Sequence, residues 1–128
     1  MEISLIATVR DASPHVHDFL DSVRSQTRAP DEVVIVDGGS TDGTLGILRG
    51  AEGVRVIEAP GANIARGRNL AIEAASHDHI AVSDADCVLD PRWLEHLEET
   101  LADGADVAMG FYRPLATTVF QAAAAAWN

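Results

Sequence analysis

Four short apolar runs, "ISLIATV" (3–9), "EVVIVD" (32–37), "VRVIEA" (54–59) and "HIAVSD" (79–84), are each separated from the next by a segment whose apolar residues recur at helical spacing. This alternation constrains the fold more than any other feature of the chain. Runs that are continuously apolar and β-branched suit strands covered on both faces, and strands that alternate with helices build a mainly parallel sheet. We therefore expect an α/β fold of the Rossmann-like type, with helices on both faces of the sheet. The first helix is expected to start with Ser13 as its N-cap and Pro14 as its first residue, and to carry Val16, Phe19, Leu20 and Val23 on one face to about Thr27. A short helix carrying Leu45 and Leu48 follows the second strand, and an alanine-rich helix follows the third. Asp90 and Pro91 repeat the cap-plus-proline signal before Trp93, Leu94, Leu97 and Leu101. "DVAMGFYR" (106–113) reads as a fifth strand, and "VFQAAAAAWN" opens a further helix. At 128 residues this is one domain's worth of chain.

In an open sheet of this kind ligands collect beyond the carboxyl ends of the strands. Asp11, Asp37, Asp84 and Asp86 all follow strands there, so they are expected to share one rim. Two like charges as close as Asp84 and Asp86 raise one another's pKa unless a cation sits between them. A hard divalent ion, Mg²⁺ or Mn²⁺, prefers such oxygen ligands and completes its shell with substrate phosphates. The competing assignment is structural: Asp86 and Asp90 can initiate the helix that begins near Pro91.

Several classes are excluded or weakened by what the chain lacks. The formal net charge is −11 and all nine basic residues are arginine. So acidic a chain repels phosphate backbones and anionic lipid, so nucleic acid is not an expected partner. The loop "GGSTDGT" has no lysine for a Walker-type phosphate loop, and the first strand leads into "RDASP" rather than a G-x-G-x-x-G turn. Asp37 beside glycines can instead accept from a base N–H or a sugar hydroxyl, while Ser40 and Asp42 also suit a turn and a helix cap. Arg66, Arg68 and Asn69 stand at the start of the alanine-rich helix, where an anion such as a diphosphate is favoured; a solvated surface is the other reading of the two arginines. His15 and His17, like His77 and His79, are two apart with no third ligand, a poor zinc set. Cys87 is the single cysteine and reads as a small packed residue. With no disulfide, no basic leader and no long apolar segment, a cytoplasmic location is expected, with any membrane association arising through regions outside this chain.

The blocks "SLIATVRDAS", "FLDSVRSQTRAPDEVVIVDGGSTDGT", "ARGRNLAIEAASHDHIAVSDADC" and "PRWLEHL" follow one another in an order that resembles the nucleotide-binding half of a family 2 glycosyltransferase with the GT-A fold. The resemblance extends to about Arg113. It implies that Thr8 and Arg10 line a nucleotide pocket, that Asp37 with Gly38 meets the base, and that Arg68 and Asn69 match the family's R-N pair. It also implies that Asp84-Ala85-Asp86 is the D-x-D motif, Asp84 lying near the ribose and Asp86 ligating the metal that bridges the diphosphate. Gly38 stands where the family often has a second acid, which bears on the choice among UDP-, GDP- and TDP-linked donors, and Cys87 stands where relatives are often acidic. The implied reaction is transfer of a sugar to an acceptor hydroxyl with inversion. The catalytic base is expected from a segment beyond Asn128, the acceptor-binding part lying outside this chain, and the apolar C-terminal helix is a candidate for self-association. A non-catalytic nucleotide-sugar-binding module is the alternative from another class. "IAVSDADCV" also satisfies the D-x-D-x-[TV] pattern of haloacid dehalogenase-type phosphatases, with Asp84 as nucleophile, yet those enzymes and response-regulator receivers need a lysine that this chain lacks.

Overall fold

A computed structural model describes residues 1–114. It contains β1 (Ile3–Val9), α1 (Val16–Arg24), β2 (Glu32–Asp37), α2 (Thr44–Arg49), β3 (Val54–Glu58), α3 (Ile64–Ala74), β4 (His79–Asp84) and α4 (Trp93–Ala102). The four strands form one parallel sheet in the order β3-β2-β1-β4. All four strands and the alternating helices agree with the sequence expectation. The register sets the functional end: Thr8 of β1 is opposite Asp84, and its neighbour Val9 is opposite Asp37, which in turn faces Glu58.

Alternation along the central strands divides the core. Leu5, Ala7, Val9, Val33 and Ile35 point to the face covered by Val16, Phe19, Leu20 and Val23 of α1 and Leu48 of α2. Ile6, Val34 and Val36 point to the other face, where Ala71 of α3 is buried. Leu94 of α4 closes the β4 end of the first face against Ile3 and Ala81. A large apolar side chain removed from water in this way contributes about 1.5–3 kcal/mol, so these contacts rather than helix propensity hold α1 and α2 in place.

Helix starts differ from expectation in an instructive way. Ser13 is not the cap of α1: a turn closed by His15 N–H and Val16 N–H on the Ala12 carbonyl comes first, and His15 holds the N-cap position without a side-chain bond. The Ser13 amide instead donates to Asp42 Oδ2 at 3.0 Å. At α4, Asp90 Oδ1 accepts from Arg92 N–H at 2.9 Å, one turn before the helix proper. The Leu94 amide is satisfied by Gln26 Oε1 at 3.0 Å, and Gln26 Nε2 donates to the Asp90 carbonyl at 2.7 Å. Gln26, just after α1, thereby caps α4 from a distance.

The expected fifth strand is absent. Residues 106–113 run alongside β4 without joining the ladder, and Val107, Met109, Phe111 and Tyr112 are exposed. A strand forms only where a neighbour accepts its backbone hydrogen bonds; propensity alone does not supply one. The helix expected at the C-terminus, and the self-association assigned to it, lie outside the described residues. Among the described residues no helix is long and apolar enough to cross a membrane.

Candidate functional site: an acidic and arginine-lined cleft at the strand ends

The loops that leave β1 and β2 at this end are bonded to each other. Asp11 N–H donates to Ser40 Oγ at 2.9 Å, and Thr41 N–H returns to Asp11 Oδ1 at 2.7 Å. Ala12 N–H donates to Thr44 Oγ1, whose own proton goes to Asp42 Oδ1 at 2.6 Å. The Thr44 hydroxyl first, and the Ser13 amide next, hold the Asp42 carboxyl well below the usual carboxylate range. Asp11 adopts a left-handed φ of 51°, which these bonds stabilise. Asp11 is therefore a loop fastener rather than a member of the cleft lining.

Asp37 is 1% exposed. Its Oδ1 accepts from Gly39 N–H at 2.9 Å and Ser40 N–H at 2.8 Å, while Oδ2 is buried without a partner. Gly38, next to it, reaches the cleft itself. A Cβ at Gly38 would lie 3.0 Å from the Ala62 carbonyl, and both backbone groups of Gly38 are bonded, to the Val9 carbonyl and the Gly61 amide. The departure from the family's second acid thus has a local reason: the backbone before α3 occupies the space.

A cavity of about 840 Å³ opens where β1, α3 and the end of β4 meet. Thr8, Arg10, Gly38, Arg68, Asp84, Ala85 and Asp86 all line it, so seven of the eight binding residues expected from sequence come together from four separate stretches. Asp37 is the eighth; it lies buried beside the cavity rather than on its lining. Arg66 and Asn69 are exposed and are not part of the lining. The first turn of α3 forms one wall, begun by Asn63, whose side chain accepts from Arg66 N–H at 2.8 Å.

Ligand atoms of Asp84, Asp86 and Cys87 lie within 4.8 Å of one another, and this is the one such group among the described residues. The expectation that only a cation makes this acidic pair tolerable needs correction. Asp84 is half-exposed and paired with Arg68, Nη2 to Oδ1 at 3.0 Å, and Asp86 is exposed. The cluster is thus tolerable without an ion. The donor set still fits a hard divalent cation through its two carboxylates. A thiol is a softer donor than such a cation prefers; in the protein burial first, then the charges of Asp86 and Asp84, push the Cys87 thiol up. Tyr112, although largely exposed, reaches the same corner: partial desolvation, then the charge of Asp84, raises its phenol. Sequence reasoning did not single out Tyr112, Ala62 or Gly67; only Gly67, a glycine inside a helical pattern, carried a signal.

A parallel sheet whose carboxyl-end cleft combines an acid-x-acid motif, an arginine and a helix N-terminus marks an α/β protein with its candidate site at the strand ends. The profile of the family "Glycosyl transferase family 2" matches residues 4–119, and the chain belongs to that family. Glycosyltransferase AglE of Haloferax volcanii is 32% identical over 118 residues, covering 84% of this chain and 38% of that protein. Chondroitin synthase of Pasteurella multocida is 31% identical over 106 residues, covering 79% of this chain and 11% of the relative. Among solved structures, the mannosyltransferase PcManGT of Pyrobaculum calidifontis, in complex with GDP-Man and Mn²⁺, superposes with a TM-score of 0.71 at 29% identity, over 80% of this chain and 33% of that one. Glucosyl-3-phosphoglycerate synthase of Mycobacterium tuberculosis, in complex with Mn²⁺, UDP and glucosyl-3-phosphoglycerate, gives 0.61 at 27% identity, over 78% and 39%. These neighbours are GT-A glycosyltransferases, so the fold expectation holds. The chain spans well under half the length of these relatives. Family membership leaves the dehalogenase-type reading of the D-x-D motif without support.

Proposed function

We propose that this chain supplies the donor half of an inverting, metal-dependent glycosyltransferase, binding a nucleotide-diphosphate sugar in the 840 Å³ cleft. The observation that carries the reading is convergence: Thr8, Arg10, Gly38, Arg68, Asp84 and Asp86 are scattered over nearly eighty positions of sequence yet line one cavity. The size suits a nucleotide, since ligand cavities run from about 300 to 1,000 Å³.

Thr8, Arg10 and Gly38 hold the nucleoside end, and Asp37, buried beside the cavity, shapes its base side by fixing the Gly39 and Ser40 amides through Oδ1. Asp84 orients the ribose. Asp84 and Asp86 would hold Mn²⁺ or Mg²⁺, whose charge offsets that developing on the departing diphosphate. Arg68 divides its charge between Asp84 and the diphosphate, and the first turn of α3 adds the anion preference of a helix N-terminus. The acceptor hydroxyl attacks from the open side. We assign its deprotonation to a carboxylate from a later segment, as the family pattern implies.

Titrating UDP-, GDP- and TDP-sugars by calorimetry, with and without Mn²⁺, tests this. The expected result is one preferred base, affinity raised about tenfold or more by Mn²⁺, and loss of that increment in Asp86→Ala. Binding indifferent to both Mn²⁺ and Asp86→Ala would overturn the proposal.

A further inference from the structure

Gly67 occupies the first turn of α3 in a conformation that any residue can adopt, since it is absent from the residues with positive φ. A glycine inside a helix is unfavourable relative to alanine, so something other than backbone geometry must account for it. The account is space. A Cβ at position 67 would lie 2.8 Å from Thr8 Cγ2, 3.5 Å from Thr8 Cβ and 3.6 Å from Val36 Cγ1. The first distance is shorter than carbon atoms tolerate, and the contacted atom is the methyl of a β-branched residue on the central strand, which cannot bend away as a long side chain would.

We infer that Gly67 is a positioning residue for Thr8: by admitting the threonine methyl against the first turn of α3, it fixes the rotamer of Thr8 and thereby which branch of that side chain faces the cleft. The inference rests on the proposed nucleotide site, because Thr8, Gly67, Arg68 and Asp84 line the same cavity. With the methyl seated on Gly67, the hydroxyl is the branch left for a ligand. Thr8 also stands opposite Asp84 in the sheet register, so a rotation of its side chain, or a retreat of α3, changes the cleft next to the acid-x-acid motif. Arg68 is the very next residue of α3, so the same displacement would disturb its 3.0 Å pair with Asp84.

The test is a double-mutant cycle on the full chain with Gly67→Ala, Thr8→Ser and the double variant, Thr8→Ser removing only the methyl. Calorimetry with UDP and GDP in the presence of Mn²⁺ reads binding, and thermal melts without nucleotide read the packing. In the native background Gly67→Ala should weaken nucleotide binding about tenfold and lower the melting midpoint. In the Thr8→Ser background the added methyl has room, so Gly67→Ala should change affinity by less than about twofold and should raise the midpoint through better helix propensity. Additive effects in the melts, or Gly67→Ala binding nucleotide as tightly as the native chain, would overturn the inference. A native chain that binds neither nucleotide while the midpoints remain coupled would leave the Gly67–Thr8 contact standing and remove the role in binding, together with the donor-site reading.

Discussion

Replacing Asp37 separates two things that a buried carboxylate can do. In Asp37→Ala the amides of Gly39 and Ser40 lose the oxygen that both now use. A hydrogen bond to a charged group is worth about 1.5–3 kcal/mol, and these two residues are half-buried, so water replaces part of what is lost and the two together come to about 3 kcal/mol. At about 2.1 cal/mol/K per residue, 128 residues unfold with an entropy near 0.27 kcal/mol/K, which turns that loss into a fall of about 11 °C in melting temperature. Asp37→Asn keeps one carbonyl oxygen for the same two amides and removes a buried charge whose second oxygen has no partner, so its cost is about 1 kcal/mol, or about 4 °C. Calorimetric or circular-dichroism melts of the three proteins at neutral pH measure the difference. Equal shifts for Ala and Asn, or an Ala shift under about 3 °C, would refute the assignment of Asp37 as the anchor of its loop.

Phe19→Ala, at a fully buried position against the β1 and β2 face, should cost about 3–5 kcal/mol in urea denaturation, with little change in slope. Arg68→Ala should behave in the opposite sense: its pair with Asp84 is 42% and 44% exposed, so stability should move by less than about 1 kcal/mol while nucleotide affinity falls about tenfold. Asp42 gives a pH signature. Its carboxyl is depressed in the folded state, so its contribution is complete above the unfolded value near 3.8 and is lost as pH falls through the lower folded value. Asp42→Asn should therefore be less stable than the native chain at neutral pH, and the gap between the two should close progressively in melts below about pH 4.

What the sequence made legible was whatever depends on periodicity and order. The apolar runs announced β1 to β4 because both faces of the central strands are covered, and the acidic strand ends announced the rim because the sheet is parallel. Helix starts were less legible, since a cap is satisfied by whichever group lies nearest in space: Gln26 reaches the Leu94 amide from 68 positions away. The segment 106–113 has strand-like composition but does not pair with the open edge of β4. Asp37 and Gly38 could be placed on the rim, but not the fact that Asp37 is buried beside the cavity while Gly38 lines it with the Ala62 carbonyl close against it. Gly67 drew no attention because its partner, Thr8, is 59 residues earlier.

The mutual fastening of the β1–α1 and β2–α2 loops has a kinetic corollary. Ordering a loop residue costs about 1–2 kcal/mol of backbone entropy, and for residues 11–13 and 39–44 that cost is met during folding, through Asp11, Ser40, Asp42 and Thr44. If the cleft takes the proposed nucleotide, that ligand meets a flank already in its final shape, and mutations that unfasten the loops should slow association before they hasten escape.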